Sequence, residues 1–144
     1  MRINSTPVVF VDFETELIAP ANHLPTPAIA TTYLAPDDAL ALDAPAMAGA
    51  QLWLTHQLEG LWRFLLEAAV AKRIYLGGHD LARFDLNITG AHMPHLRGLI
   101  KQALDTDRIV DTIQAERIIE IHRHQRAGAA GRVGSDGRGQ AGRL

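Results

Sequence analysis

Val8-Val9-Phe10-Val11-Asp12-Phe13-Glu14-Thr15-Glu16-Leu17 is the stretch on which the fold turns. Valine and phenylalanine fill Val8 to Phe13, broken only by Asp12. That is the pattern of a strand buried on both faces. Two acids stand where such a strand should end. Residues two apart on a strand share a face and lie about 6.5 Å apart along it, so Asp12 and Glu14 project side by side. Like charges at the end of a buried strand repel each other and lose hydration. A cation relieves both effects. Carboxylate oxygens suit Mg²⁺ or Mn²⁺, and paired ions roughly 3.5–4 Å apart are the usual clamp for phosphoryl chemistry. A plain solvated strand end is the alternative reading of the same two acids.

The composition narrows the class. A chain of 144 residues, 47% hydrophobic, suits a single globular domain with a real core. No apolar run is long enough for a membrane span, and no basic start leads into an apolar run with a cleavage site, so neither membrane nor signal peptide is expected. The absence of cysteine excludes disulfides and thiolate metal sites and fits a cytoplasmic protein. The net charge of −2 does not advertise nucleic-acid binding. It hides a split, because five arginines and one aspartate from Arg123 onward give +4 and leave −6 for the residues before. A metal-dependent nuclease tolerates an acidic body, since its ions supply positive charge locally.

Working outward, residues 1–7 read as a short polar lead. Pro20, Pro25 and Pro27 mark a loop over Ala19 to Pro27. Ala28 to Leu34 has strand composition, and Ala35 to Pro45 reads as a loop with a short strand or turn inside it. From about Ala46 to Ala71 the period becomes helical, with Leu54, Leu58, Leu61, Trp62, Leu65, Leu66 and Ala69 on one side. Lys72 to Leu76 reads as a strand that Gly77-Gly78 ends. Asp80 can cap a helix from Leu81 to about Ile88. A further helix runs through Leu96, Leu99, Ile100, Ala103 and Leu104, with Pro94 suited to its first turn. Arg108 to Val110 is a short strand. Asp111-Thr112 opens a last helix with Gln114 placed for a capping box. This strand–helix rhythm predicts an α/β layered domain. Residues 126–144 are different material. Six glycines fall between Ala127 and Leu144, with Val133 and Leu144 the only large apolar side chains, so disorder is expected there. A Gly/Arg tail of this kind can also touch nucleic acid nonspecifically, and its abrupt onset also fits a reading-frame accident.

The second key segment is Gly77-Gly78-His79-Asp80-Leu81-Ala82-Arg83-Phe84-Asp85-Leu86, a glycine turn leading into a helix that carries Asp85. Together with Asp12-Phe13-Glu14-Thr15 it resembles the DEDD family of 3′–5′ exonucleases. That family has Asp-x-Glu on its first strand, then Asn, two or three residues, Phe or Tyr, and Asp on a helix. Pro94 to Ile121, with its Arg108-Ile109-Val110-Asp111-Thr112 strand end, is similar to the proofreading domain of family A (polymerase I-like) DNA polymerases, especially phage ones. The resemblance covers residues 7–122 and takes in three motifs in order.

It implies a ribonuclease H-like mixed sheet flanked by helices in a domain of residues 1–125, incomplete at its C-terminal end. It implies that Asp12, Glu14 and Asp85 bind two Mg²⁺ or Mn²⁺ ions, one activating a water and both stabilising the charge that builds on the phosphate and the departing 3′ oxygen. Thr15, Asp80 and Phe84 would lie near the terminal nucleotide of a single-stranded DNA 3′ end. A polymerase domain or partner, in the cytoplasm of a bacterial or phage-infected cell, is the implied context. Two departures matter. Asp80 stands where the family has Asn, and an acid there either repels phosphate or serves as a cap. The family also completes its site with a Tyr or His followed by a fourth Asp on a later helix. After Asp111 only Asp136 remains, with Gly131 and Arg132 where the Tyr or His should be. Impaired hydrolysis is therefore expected. A non-catalytic remnant binding nucleic acid or a polymerase, and a DEDD exoribonuclease, are the alternatives. Asp111 reads as a cap and strand-end residue, and His79 as a turn or packing residue. His92 with His95 and His122 with His124 are poorly placed for zinc. Trp53, Trp62 and Phe64 read as helix packing positions, one of which could stack on a base.

Overall fold

The computed structural model describes residues 1–16, 21 and 24–133, with the side chains of the last helix as far as 126. The chain divides into two compact units, Met1–Thr112 and Ile113–Leu144. A mixed sheet forms the first. Its strands are β1 (Arg2–Ile3), β2 (Thr6–Thr15), β3 (Pro27–Leu34), β4 (Gly49–Leu54), β5 (Tyr75–Gly78) and β6 (Ile109–Asp111). Their order is β4-β3-β2-β5-β6, with β1 paired to β2 off that path. β3 is antiparallel to both neighbours, whereas β5 is parallel to β2 and β6 to β5. The helices are α1 (Pro36–Ala41), α2 (Leu58–Val70), α3 (Leu86–His92), α4 (Arg97–Asp105) and α5 (Thr112–Val133). The chain is thus α/β, as expected, and its helix-flanked mixed sheet is compatible with a ribonuclease H-like arrangement. α5 continues past Ala127, where the glycine-rich tail begins. The disorder expected from Ala127 onward is therefore corrected as far as Val133, which is helical, and the rest, 134–144, lies outside the described residues. Residues 19, 20, 22 and 23 of the loop expected over Ala19 to Pro27 also lie outside them, and Pro27 already belongs to β3.

One apolar layer holds the first unit together. Val9, Val11 and Phe13 of β2 are buried with Ala30 and Leu34 of β3 and Leu76 of β5. Helical spacing on α2 sets Leu58, Leu61, Trp62, Leu65 and Leu66 into the same cluster. The Trp62 ring lies 5.1 Å from that of Phe13, the planes 59° apart. Each such side chain contributes about 1.5–3 kcal/mol through burial. Ala39 of α1, Ile88 of α3 and Ile100 and Ala103 of α4 join that cluster.

β2 was expected to be buried on both faces, and it is buried on one. Beyond Val8 its second face carries half-buried Phe10 and exposed Asp12 and Glu14. Opposite them on β3 stand Tyr33, Thr31 and Ile29. The antiparallel pairing explains this, because such sheets can leave a face to solvent. The polar lead holds β1, which pairs with β2. Three other expectations need correcting. The helix expected from about Ala46 begins only at Leu58, and β4 occupies Gly49–Leu54. Apolar residues on both faces of β4 hide its period of two, and Leu54 falls at helical spacing from Leu58 by coincidence. Trp53 consequently sits on a strand, its indole N–H donating to Thr32 Oγ1 at 2.8 Å. Ala35 to Pro45 contains α1, which Pro36 in the first turn and Asp37 and Asp38 announce. Arg2 Nε donates to the buried Asp38 carboxylate at 2.8 Å and ties β1 to that helix.

β5 fits beside β2 because it ends in two glycines. A Cβ on Gly77 would meet the Phe10 and Val8 side chains at 3.0 Å, and one on Gly78 would lie 2.7 Å from the Val11 carbonyl oxygen. The second contact is with backbone, which cannot swing away. Gly78→Ala is expected to destabilise the chain by about 1–3 kcal/mol, read as a lowered urea midpoint. An unchanged midpoint would mean that the strands do not approach so closely.

Candidate active site at the end of the central strand

β5 pairs with β2 only as far as Phe10. Beyond that point the N–H groups of β2 on that side need another acceptor. Asp85 supplies it: the Phe13 N–H donates to Asp85 Oδ1 at 3.0 Å. The carboxylate reaches this position because Leu81–Asp85 forms a π-helical turn, closed by the Leu86 N–H on the Leu81 carbonyl. Only then does the chain settle into α3. The helix expected from Leu81 therefore has a wider first turn, a feature frequent at functional sites. Thr89 Oγ1 donates to the Asp85 carbonyl at 2.7 Å and anchors the junction.

Asp85 is 1% exposed, and its Oδ2 is buried without a hydrogen-bond partner. Burial pushes its carboxyl up from 3.8 to about 7, against the lowering effect of the Phe13 N–H, and the charge of nearby Asp12 pushes the same way. Asp12 and Asp85 are therefore close enough to feel each other. Glu14 shares the exposed face of Asp12, two residues along β2. Its charge is not among the causes that shift Asp85. Among the described residues, no three His, Asp or Glu side chains cluster tightly enough to hold an ion together. Of the three acids expected from the sequence, Asp12 and Glu14 thus share the exposed face of β2, while Asp85 lies buried at the edge of the strand on the Phe13 N–H. Mg²⁺ is commonly held by only one or two carboxylates, with waters and substrate phosphate completing its shell. The orphaned Oδ2 of Asp85 is an oxygen of the kind such an ion takes.

The remaining candidates fall in different places. Thr15 follows a register shift in β2, and its hydroxyl donates to the adjacent Glu16 carbonyl at 3.0 Å. Phe84 is half-buried and packs against the core. Asp80 has a left-handed backbone, φ 57°, and its side chain makes no cap hydrogen bond. It holds Arg83 instead, with an NH2–Oδ2 distance of 2.7 Å. That hydrogen bond is the main reason the Arg83 pKa lies above its ordinary value. The capping expected of Asp80 is done by Asp111, whose Oδ1 accepts the Asp80 N–H at 2.9 Å and whose Oδ2 accepts the Ala82 N–H at 3.1 Å. Sequence reasoning read Asp111 as a cap but assigned it to the helix that follows. Nothing local in the chain links positions 111 and 80, which meet only because β6 lies beside β5.

A cleft of about 610 Å³ opens on the exposed face of the sheet, lined by Asp12, Phe10, Thr31, Tyr33, His79 and Thr112 among others. Neither Glu14 nor Asp85 lines it. His79 Nδ1 lies 3.2 Å from Thr112 Oγ1, which in turn lies 3.3 Å from the Gly78 carbonyl oxygen. Of the other histidines, His92 meets the Leu24 carbonyl and His95 meets Glu59.

No protein-family model, curated protein or solved structure matches this chain. The likeness to DEDD exonucleases rests on the motifs themselves.

Two outcomes follow from this geometry. A carboxyl whose pKa is higher folded than unfolded favours the native state while both forms hold the proton. That stability is lost as pH rises from 3.8 through about 7, at about 1.4 kcal/mol per pH unit. Urea titrations across that window should show the fall in the natural chain and a flatter profile in Asp85→Asn. Asp111→Ala should strand two N–H donors and cost roughly 1.5–3 kcal/mol, with Asp111→Asn intermediate in the same titration.

Proposed function

We propose that the first unit is a divalent-metal-dependent 3′–5′ exonuclease domain of the DNA polymerase I-like kind, hydrolysing phosphodiesters at single-stranded DNA 3′ ends at a reduced rate. The observation that carries this reading is the buried Asp85 carboxyl beside Asp12, with one oxygen on the Phe13 N–H and the other without a partner. A buried acid so arranged destabilises a merely structural domain at neutral pH, and relief comes when a cation replaces its proton. Asp12 and Asp85 would hold the first Mg²⁺ or Mn²⁺, and Glu14 at the rim would reach a second. Such ions supply charge neutralisation on the phosphate and a more acidic bound water. Asp111 and the π-helical turn keep Asp85 in register. Thr15, Asp80 and Phe84 are the residues that would meet a terminal nucleotide. The rate is reduced because the family's fourth carboxylate and its Tyr or His have no counterpart in the sequence.

One observation favours a second reading, a non-catalytic remnant that binds nucleic acid or a polymerase partner. Among the described residues no three ligand side chains converge. A 5′-labelled oligonucleotide, as DNA and as RNA, incubated with Mn²⁺ decides between them. A ladder shortening from the 3′ end of the DNA is expected, with Asp12→Asn and Asp85→Asn each slowing it roughly 100-fold or more, the loss of several kcal/mol of charge stabilisation. Binding without cleavage, indifferent to Asp12→Asn, would establish the remnant. Cleavage of RNA alone would move the assignment to an exoribonuclease.

A further inference from the structure

We infer that His79 is the proton acceptor of this site, the Gly78–Thr112–His79 hydrogen-bond chain placing the ring proton on Nδ1 and leaving the Nε2 lone pair to face the cleft. A carbonyl oxygen can only accept, so the contact of Thr112 Oγ1 with the Gly78 carbonyl at 3.3 Å spends the single hydroxyl proton of Thr112. The same oxygen can then only accept from His79 Nδ1, 3.2 Å away. One arrangement satisfies all three groups, and in it the proton of the neutral imidazole sits on Nδ1. The lone pair is left on Nε2, which has no hydrogen-bond partner among the described residues. This is the device by which a partner on one ring nitrogen sets the role of the other. The ring is exposed, and it lines the same cleft as Asp12. β5 and β6 are adjacent and parallel, with Gly78 opposite Asp111, so the fold itself brings Thr112 to His79.

This inference rests on the hydrolysis proposed above and names the base that reading lacks. A water oxygen bonds to phosphorus while one of its protons passes to His79 Nε2. The bond from phosphorus to the 3′ oxygen breaks, and its electron pair stays on that oxygen. The imidazolium then gives its proton to the 3′ oxygen, which restores the neutral ring and releases a nucleoside 5′-monophosphate. Water is the only co-reactant.

Two measurements test it. Long-range ¹⁵N–¹H NMR on the metal-free chain should show the Nδ1–H form of His79, and Thr112→Val should abolish that preference. Nε2–H in the natural chain would overturn the inference whatever the activity. In the Mn²⁺ assay, His79→Ala should slow cleavage roughly 100-fold or more and added imidazole should restore part of the rate. Oligonucleotide binding without metal should be unchanged. Full activity in His79→Ala, alongside loss in Asp12→Asn, would remove His79 and leave the hydrolase standing. No cleavage by the natural chain would remove both.

Discussion

The hydrogen bond from the Phe13 N–H to Asp85 is the point on which the rest depends. A parallel strand that stops early leaves its neighbour with unpaired backbone groups, and a buried N–H without an acceptor costs free energy comparable to a lost hydrogen bond. β5 stops because Gly77-Gly78 turns the chain against β2 at a separation no larger residue could share. The vacated edge is then filled by a carboxylate rather than by another carbonyl. A structural requirement of the sheet thereby places an acid beside Asp12, and it does so in the interior, where the acid resists ionising.

That placement opposes stability at neutral pH. A partnered acceptor of neutral charge would satisfy Phe13 without a second orphaned oxygen. Natural chains depart from local consistency chiefly at sites with a task, and they compensate elsewhere. Here the compensation is visible. Asp111 secures the preceding turn by two backbone hydrogen bonds, Thr89 secures the following junction, and Trp62 packs against Phe13 from the far side of the strand. The carboxylate that costs most is the one held from most directions.

Much of this was legible in the chain. β2, β3 and the register of Asp12 with Glu14 followed from composition and period. The Leu58–Val70 part of the expected helix followed from spacing. What escaped did so for identifiable reasons. A period shows which residues share a face but not whether a layer covers it, so β2 read as doubly buried. β4 carries Gln51 and Trp53 on one side and Leu52 and Leu54 on the other, and it offers no contrast to read. The helix-start signals at Pro36 were present and were outweighed by the loop residues around them. The reach from Asp111 to Asp80 and Ala82 is a product of strand order, which local sequence does not encode.

For the exonuclease proposed above, an acid at Asp80 is the hardest feature to reconcile with phosphate chemistry, and its ion pair with Arg83 bears on that proposal. An isolated carboxylate at that turn would repel an incoming phosphodiester. Asp80 is not isolated, because Arg83 lies across it with two nitrogens in contact. The pair is close to neutral toward a distant anion, so long-range repulsion is largely cancelled. What the pair cannot reproduce is the amide itself, a neutral group with a donor and an acceptor on one plane. An approaching phosphate would compete with Asp80 for Arg83, and drawing the guanidinium away would leave the carboxylate bare. Under that proposal, electrostatics at this turn would favour a phosphate contact made through Arg83 with the ion pair intact.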